Sequence, residues 1–294
     1  MDQLDFNGKL KEYTNQIESY LKQCLAVSDV RQKKVLSAMA YSVEAGGKRV
    51  RPILTLEFCR LCGGDPASAL PFAAAVELVH SYSLIHDDLP CMDNDDFRRG
   101  RPSCHKAYGE ATALLAGDGL LTMAFELISR AKLPAERMVA AVAVLSGYAG
   151  VMGMIGGQVI DLESEGKSVQ PQTLQSMYDL KTAALLRAAC ELGCIAAGAS
   201  EEQLASARSY ATALGFAFQI VDDILDIEGV STLLGKETGS DAANGKRTYP
   251  AVYGMEKAKK DADAYTQSAL EALKTFDNAE FLEMFTRKLA VRDR

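Results

Sequence analysis

Tryptophan is absent from this 294-residue chain, and histidine (three) and proline (eight) are scarce. So few prolines leave long helices uninterrupted. With aromatics at only 7% and no run of alternating apolar and polar residues, sheet has little to build on. Cys59-x-x-Cys62 has no second thiol pair and no paired histidines to complete a zinc site. No Ser/His/Asp or Cys/His triad stands out for nucleophilic catalysis. Positive charge is short as well, the formal net charge being −7, which argues against a nucleic-acid partner. Residues 1–13 are acidic and polar where a signal peptide needs an apolar core, and no window reads as a membrane span of ~18–20 apolar residues. Seven cysteines, an odd number scattered along the chain, fit reduced thiols in a cytoplasmic protein. The expectation is therefore a cytoplasmic protein without membrane insertion.

What the chain does have is helix. It is 48% hydrophobic and rich in Ala and Leu. Apolar residues recur at helical spacing over 4–27, 30–43, 53–62, 67–88, 110–132, 135–163, 173–197, 202–228, 251–275 and 278–291. The 135–163 helix is expected to bend near Gly153, Gly156 and Gly157. No Pro/Ser-rich linker divides the chain, so residues 1–294 are expected to form one all-α domain.

The most informative stretch runs from Glu77 to Gly100. An apolar helix carrying His80 delivers Asp87, Asp88, Asp93, Asp95 and Asp96 within ten residues, followed at once by Arg98 and Arg99. Carboxylates this close repel unless a cation sits among them. An oxygen-only set suits Mg²⁺, which keeps waters and shares its shell with phosphates, while paired guanidinium groups grip the phosphates themselves. Pro90 should end the helix within a turn of Asp88, and a local bulge would be needed to return Asp93 to the metal.

A second apolar helix, 202–228, ends in Asp222, Asp223 and Asp226, the first and last one turn apart on one face. Two carboxylate-tipped helices can face each other across a bundle cavity. Gly46-Gly47-Lys48-Arg49-Val50-Arg51-Pro52 puts Lys48 and Arg51 three apart with Arg49 close by. It reads either as a helix junction with solvated cations or, beside the aspartates, as a diphosphate site. Gln158 and Asp161 could reach the cavity, and Asp118 is better explained by hydrogen bonds to neighbouring helices than as a metal ligand. The glycine-rich segment 229–250, with Lys236 and Lys246, is a candidate lid. Such a set suits ionisation of an alkyl diphosphate inside an apolar pocket that shields a carbocation from water.

These motifs, in this order, resemble the all-trans polyprenyl diphosphate synthases of the farnesyl and geranylgeranyl type. Lys181-Thr182, Gln219-Ile220-Val221-Asp222-Asp223 and Gly235-Lys236 add to the match. The resemblance implies the isoprenoid synthase type I helix bundle around a central apolar cavity, usually as a homodimer. It implies isopentenyl diphosphate held by Lys48, Arg51, His80 and Arg99. It also implies an allylic diphosphate held by Mg²⁺ (three ions per site, with Mn²⁺ a possible substitute) on Asp87, Asp88, Asp93, Asp222 and Asp226. Arg98, Lys181, Thr182, Gln219, Lys236 and Lys246 are its other expected contacts, with Lys181, Thr182, Gln219, Asp87 and Asp88 catalytic. The mechanism implied is ionisation, attack by the isopentenyl double bond and proton loss to the released diphosphate.

Two features bear on product length. The first motif is DDxxxxD, and Tyr82 and Ser83 stand five and four residues before Asp87. A tyrosine at that depth resembles the bacterial farnesyl pattern, flooring the pocket by steric exclusion. Ser240, where some relatives carry lysine, is a departure in the lid. The alternatives are a geranylgeranyl-type product, a terpene cyclase (which would not need the Lys48/Arg51 cluster) or a non-catalytic subunit, which would be expected to lose metal ligands.

Overall fold

The structure, a computed structural model, describes residues 1–26, 29–167, 169–228 and 248–290. Three helices are apolar nearly all round, and they occupy the middle, as such helices must. In α3 (Val50–Leu61) every residue from Pro52 to Cys59 is buried, and in α4 (Leu70–Asp87) every residue from Phe72 to Val79. In α10 (Ala184–Ala197) burial runs from Ala184 to Cys194, broken only at Arg187. Amphipathic helices close around them. The first, α1 (Gln3–Cys24), buries a stripe of Phe6, Tyr13, Ile17 and Leu21, and Asp2 caps its start by accepting from Asp5 N–H at 2.8 Å. The shorter α2 (Lys33–Val43) lies against α6 (Glu110–Ser129).

Helix α11 (Glu201–Glu228) is the longest and packs on α13 (Met255–Ala272) and α10. It is followed in the described residues by the short α12 (Tyr249–Tyr253) and later by α14 (Glu280–Ala290). The all-α expectation holds, with one addition. Phe97–Arg98 pairs antiparallel with Arg101–Pro102, a hairpin turned by Arg99 (φ 53°) and Gly100 (φ 73°). Two successive positive φ angles are what a type I′ turn demands, and that turn suits a tight hairpin. It is followed by α5 (Cys104–Tyr108).

Two long helices expected from periodicity are interrupted. The 135–163 stretch is two helices, α7 (Ala135–Ala149) and α8 (Met154–Ser164), parted by Gly150 to Gly153. The 173–197 stretch is α9 (Pro171–Met177), a π-helical segment from Tyr178 to Ala183, and α10.

The reading that no window is apolar enough to span a membrane is corrected. By length and composition Pro66–Asp87, Glu110–Ser129 and Ala135–Ser164 all qualify. The first is apolar because it fills the core. The other two owe their composition partly to faces the fold leaves exposed, including Leu114, Leu115, Val139, Val142, Val151, Met152 and Val159. Helix α7 buries only the narrow stripe Ala141, Leu145 and Ala149.

Candidate active site

The end of α4 is where charge gathers. Pro90 stops the helix as expected, and the chain then doubles back: Asp93 N–H donates to the Asp87 carbonyl at 2.9 Å and Asn94 N–H to that of Leu89 at 3.2 Å. Asn94 takes the left-handed conformation this reversal needs (φ 52°), a region asparagine tolerates. The loop thus supplies the return of Asp93 to Asp87. The Asp87 carboxyl is pushed up to about 6, chiefly by burial and further by Asp93 and Asp88, against the pull of Lys181 and Arg98. A buried carboxylate crowded by two others is a set that a hard divalent cation would relieve, so the residues present fit the implied metal. Among the described residues no three acidic, thiol or imidazole groups converge into a closed cage. An ion here would have to complete its shell with water or ligand oxygens.

Asp88 is placed differently from Asp87. It is 2% exposed and grips Arg98, whose Nε donates to both carboxylate oxygens at 3.0 and 3.2 Å while a terminal nitrogen donates to Oδ1. The geometry makes Asp88 the anchor of that arginine. Asp222 and Asp226 sit half-buried at the end of α11.

A basic pocket lies beside the carboxylates. Arg51 is in the first turn of α3, with Lys48 exposed just ahead of the helix, so the two do not share a helical turn as expected. The Arg51 Nε is buried without a hydrogen-bond partner, and burial, with Arg99 nearby, depresses the group to about 10. His80 is held well below its usual value by burial and by Arg51, Arg99, Arg49 and Arg98, so it stays neutral. Arg99 lies flat on Gly47: a Cβ there would come within 2.8 Å of the guanidinium, whose Nη1 donates to the Gly46 carbonyl. Crowded cations with an orphaned donor make an anion site.

Arg49, read as part of this cluster, turns away. Its backbone is left-handed (φ 48°), and its side chain, wholly buried, donates to Glu77 at 2.6 Å, Glu18 at 2.7 Å and the Val43 carbonyl at 2.6 Å. Glu77 therefore sits under the pocket as a counter-charge that its place in an apolar helix did not reveal.

The π segment brings the remaining polar groups together. Lys181 pairs with Asp161 of α8. Thr182 Oγ1 donates to Gln219 Oε1 at 2.8 Å, and Gln219 Nε2 donates to Asp223 Oδ1 at 3.1 Å. Asp223 also accepts from the Tyr178 hydroxyl and, at 2.6 Å, from Tyr249 N–H. Asp161 could reach the cavity on sequence grounds, but Tyr178 and Tyr249 carried no signal beyond being aromatic. Asp118 differs from expectation: it is 59% exposed, with His86 Nε2 4.0 Å away.

Tyr82 is buried on α4, its ring edge-on to His86 at 5.6 Å, and its hydroxyl is pushed up by burial and by Asp87. Ser83 Oγ donates to the His80 carbonyl at 2.9 Å. Lys236, Lys246 and Ser240 lie outside the described residues.

The sequence pattern of the polyprenyl synthetase family matches residues 32–288. Farnesyl diphosphate synthase of Geobacillus stearothermophilus is 42% identical over 297 residues, covering 100% of both chains. Chloroplastic geranylgeranyl pyrophosphate synthase 3 of Arabidopsis thaliana is 48% identical over 249 residues, covering 83% of this chain and 69% of its own. Among solved structures, geranylgeranyl pyrophosphate synthetase from Pyrococcus horikoshii superposes with a TM-score of 0.90 at 30% identity, covering 98% of this chain and 99% of that one. The all-α bundle is the fold of the solved isoprenyl diphosphate synthases, and the chain belongs to the polyprenyl synthetase family.

Proposed function

We propose that this protein condenses isopentenyl diphosphate with dimethylallyl or geranyl diphosphate to give farnesyl diphosphate and free diphosphate. One observation carries the reading: at the end of α4 a buried carboxylate set and a pocket of crowded arginines stand side by side. One suits a metal-bound allylic diphosphate, the other a diphosphate held by cations alone. Asp87, Asp88 and Asp93 at the end of α4, with Asp222 and Asp226 at the end of α11, would hold Mg²⁺, three ions by family resemblance and replaceable by Mn²⁺. Bound there, the metal neutralises charge on the departing diphosphate. Arg98 and Lys181, with Lys236 and Lys246, grip the same group. Lys48, Arg51, Arg99 and neutral His80 hold isopentenyl diphosphate. Thr182 and Gln219, locked by Asp223, present oxygens to the developing carbocation, and the apolar helices keep water from it.

Tyr82 supports the C15 product because its ring occupies the wall of α4 one turn below Asp87. Purified protein supplied with Mg²⁺, isopentenyl diphosphate and, separately, dimethylallyl, geranyl and farnesyl primers should yield C15 and leave the farnesyl primer unused. Tyr82→Ala should shift the main product to C20 or longer. Unchanged product length in the variant would sink the flooring role, and a C20 wild-type product would put the floor deeper. No turnover with any primer would point to a non-catalytic subunit.

The exposed apolar faces of α6, α7 and α8 support a homodimer. Leu115→Glu appears twice in a two-fold interface and should weaken association at least 100-fold, read by sedimentation equilibrium. The seven free thiols suit the cytoplasm.

A further inference from the structure

Helices α3 and α10 lie in close contact through the core. Thr55 Oγ1 donates to the Ala189 carbonyl at 2.9 Å, and Gly193 lets the backbones approach: a Cβ there would collide with the Thr55 carbonyl oxygen. At the end of the pair remote from the arginine pocket, Cys62, the C-cap of α3, meets Cys194 of α10 with their sulfurs 3.7 Å apart. Cys194 is fully buried and Cys62 partly open to solvent. A disulfide needs about 2.05 Å, so modest side-chain rotations would close the gap.

We propose that Cys62 and Cys194 are an oxidative modification site, closing to an intramolecular disulfide when the protein meets a peroxide. The Cys62 thiolate attacks one peroxide oxygen and the O–O bond breaks, leaving Cys62 as the sulfenic acid and releasing hydroxide. The Cys194 sulfur then attacks the Cys62 sulfur and the S–O bond breaks. The departing hydroxide takes the Cys194 proton as water. Two thiols are oxidised by two electrons and one hydrogen peroxide becomes two waters.

The neighbourhood favours this order. The hydrogen bond between Cys62 Sγ and Cys194 Sγ holds the Cys62 thiol below its usual value and, with burial, raises that of Cys194. Cys62 is thus the more readily ionised of the two and the one peroxide can reach. Burial pushes Cys59 up to about 11 and raises Cys190 well above the ordinary thiol, so neither neighbour competes. The bond would join residues 132 apart in sequence and restrict the unfolded chain accordingly. It would form ~16 Å along α3 from Arg51, so the reacting centre should not feel it.

The test is to treat reduced, folded wild-type protein with hydrogen peroxide. Its intact mass should fall by two hydrogens, and non-reducing peptide maps should link the Cys62 and Cys194 peptides. The melting temperature should rise by roughly 5–10 °C and return with dithiothreitol. Prenyl transfer should stay within about twofold of the reduced enzyme. Cys62→Ala, at the partly exposed position where folding is safe, should show none of the mass loss or stabilisation, and Cys194→Ala should behave alike. A link to any other cysteine overturns the proposal, as does oxygen gain at Cys62 with Cys194 still free. Cross-linked protein that melts no higher than the reduced form overturns the stabilising consequence.

Discussion

Asp87→Asn should lower kcat by about 10³-fold yet make the metal-free protein more heat-resistant. Both effects have one cause. Asp87 is ionised in a place that disfavours its charge: burial and the neighbouring Asp93 and Asp88 lift its carboxyl to about 6 from an ordinary 3.8. A folded-state value above the unfolded one means that the native state binds the extra proton, so wild-type stability falls as pH rises between these two values. Asparagine keeps the shape and removes the charge. Its advantage should therefore be absent below pH ~4, grow up to pH ~6 and persist above it. In EDTA at neutral pH the melting temperature should rise by roughly 2–4 °C. At saturating Mg²⁺ the ordering should reverse, because only the carboxylate gains from a bound cation. A variant that melts lower at every pH in EDTA would show that Asp87 is not strained by its neighbours.

Glu77→Ala should be the most damaging single change to stability, at about 3–5 kcal/mol. It strips the better-buried partner from Arg49, whose side chain is 0% exposed while that of Glu77 is 3% exposed. A guanidinium cannot shed its proton to escape, so it would remain charged in the core with only Glu18 and one carbonyl beside it. Glu77 also offsets Arg51 and Arg99, and removing it would worsen repulsion in the pocket above. Glu18→Ala is the control: its side chain is 40% exposed, and water can replace it at a cost near 1 kcal/mol or less. Urea denaturation of the two variants side by side measures the difference. Equal midpoints would mean that Arg49 is better hydrated than its surroundings indicate.

Much of the site was legible because its signals are local. An acidic cluster at the end of an apolar helix can be read from adjacent residues, and so can a proline that must end it. The residues that escaped were sorted by backbone shape. Arg49 and Arg51 are the same residue type two positions apart, and only the φ of 48° after Gly46-Gly47 sends one into the core and leaves the other at the pocket. Lys48 lost its helical pairing with Arg51 for the same reason. The hairpin at Phe97 to Pro102 is too short for alternation to show. The winding change at Tyr178 was hidden because Leu180, Ala183, Ala184, Leu185 and Leu186 are apolar in any helical phase. The apolar stretches 110–129 and 135–164 misled in another way. Composition does not distinguish a residue buried in its own fold from one on a face left open, and much of α7 is of the second kind.

The π winding from Tyr178 to Ala183 also constrains how this gene can vary. Such a segment accommodates one residue more than an α-helix would over the same rise, and each residue in a helix turns the chain by about 100°. Deleting any one codon across it would let the helix close into regular α-winding. Because the segment already holds one residue beyond α-winding, the helix after the deletion would keep its phase relative to α9, and Ala188, Ala189 and Leu192 would stay in the core. Within the segment the remaining side chains would change position, so Lys181 and Thr182 would lose Asp161 and Gln219. A single-codon deletion here would therefore spare the core and cost the site, whereas one within α10 would turn every later side chain of that helix by about 100°.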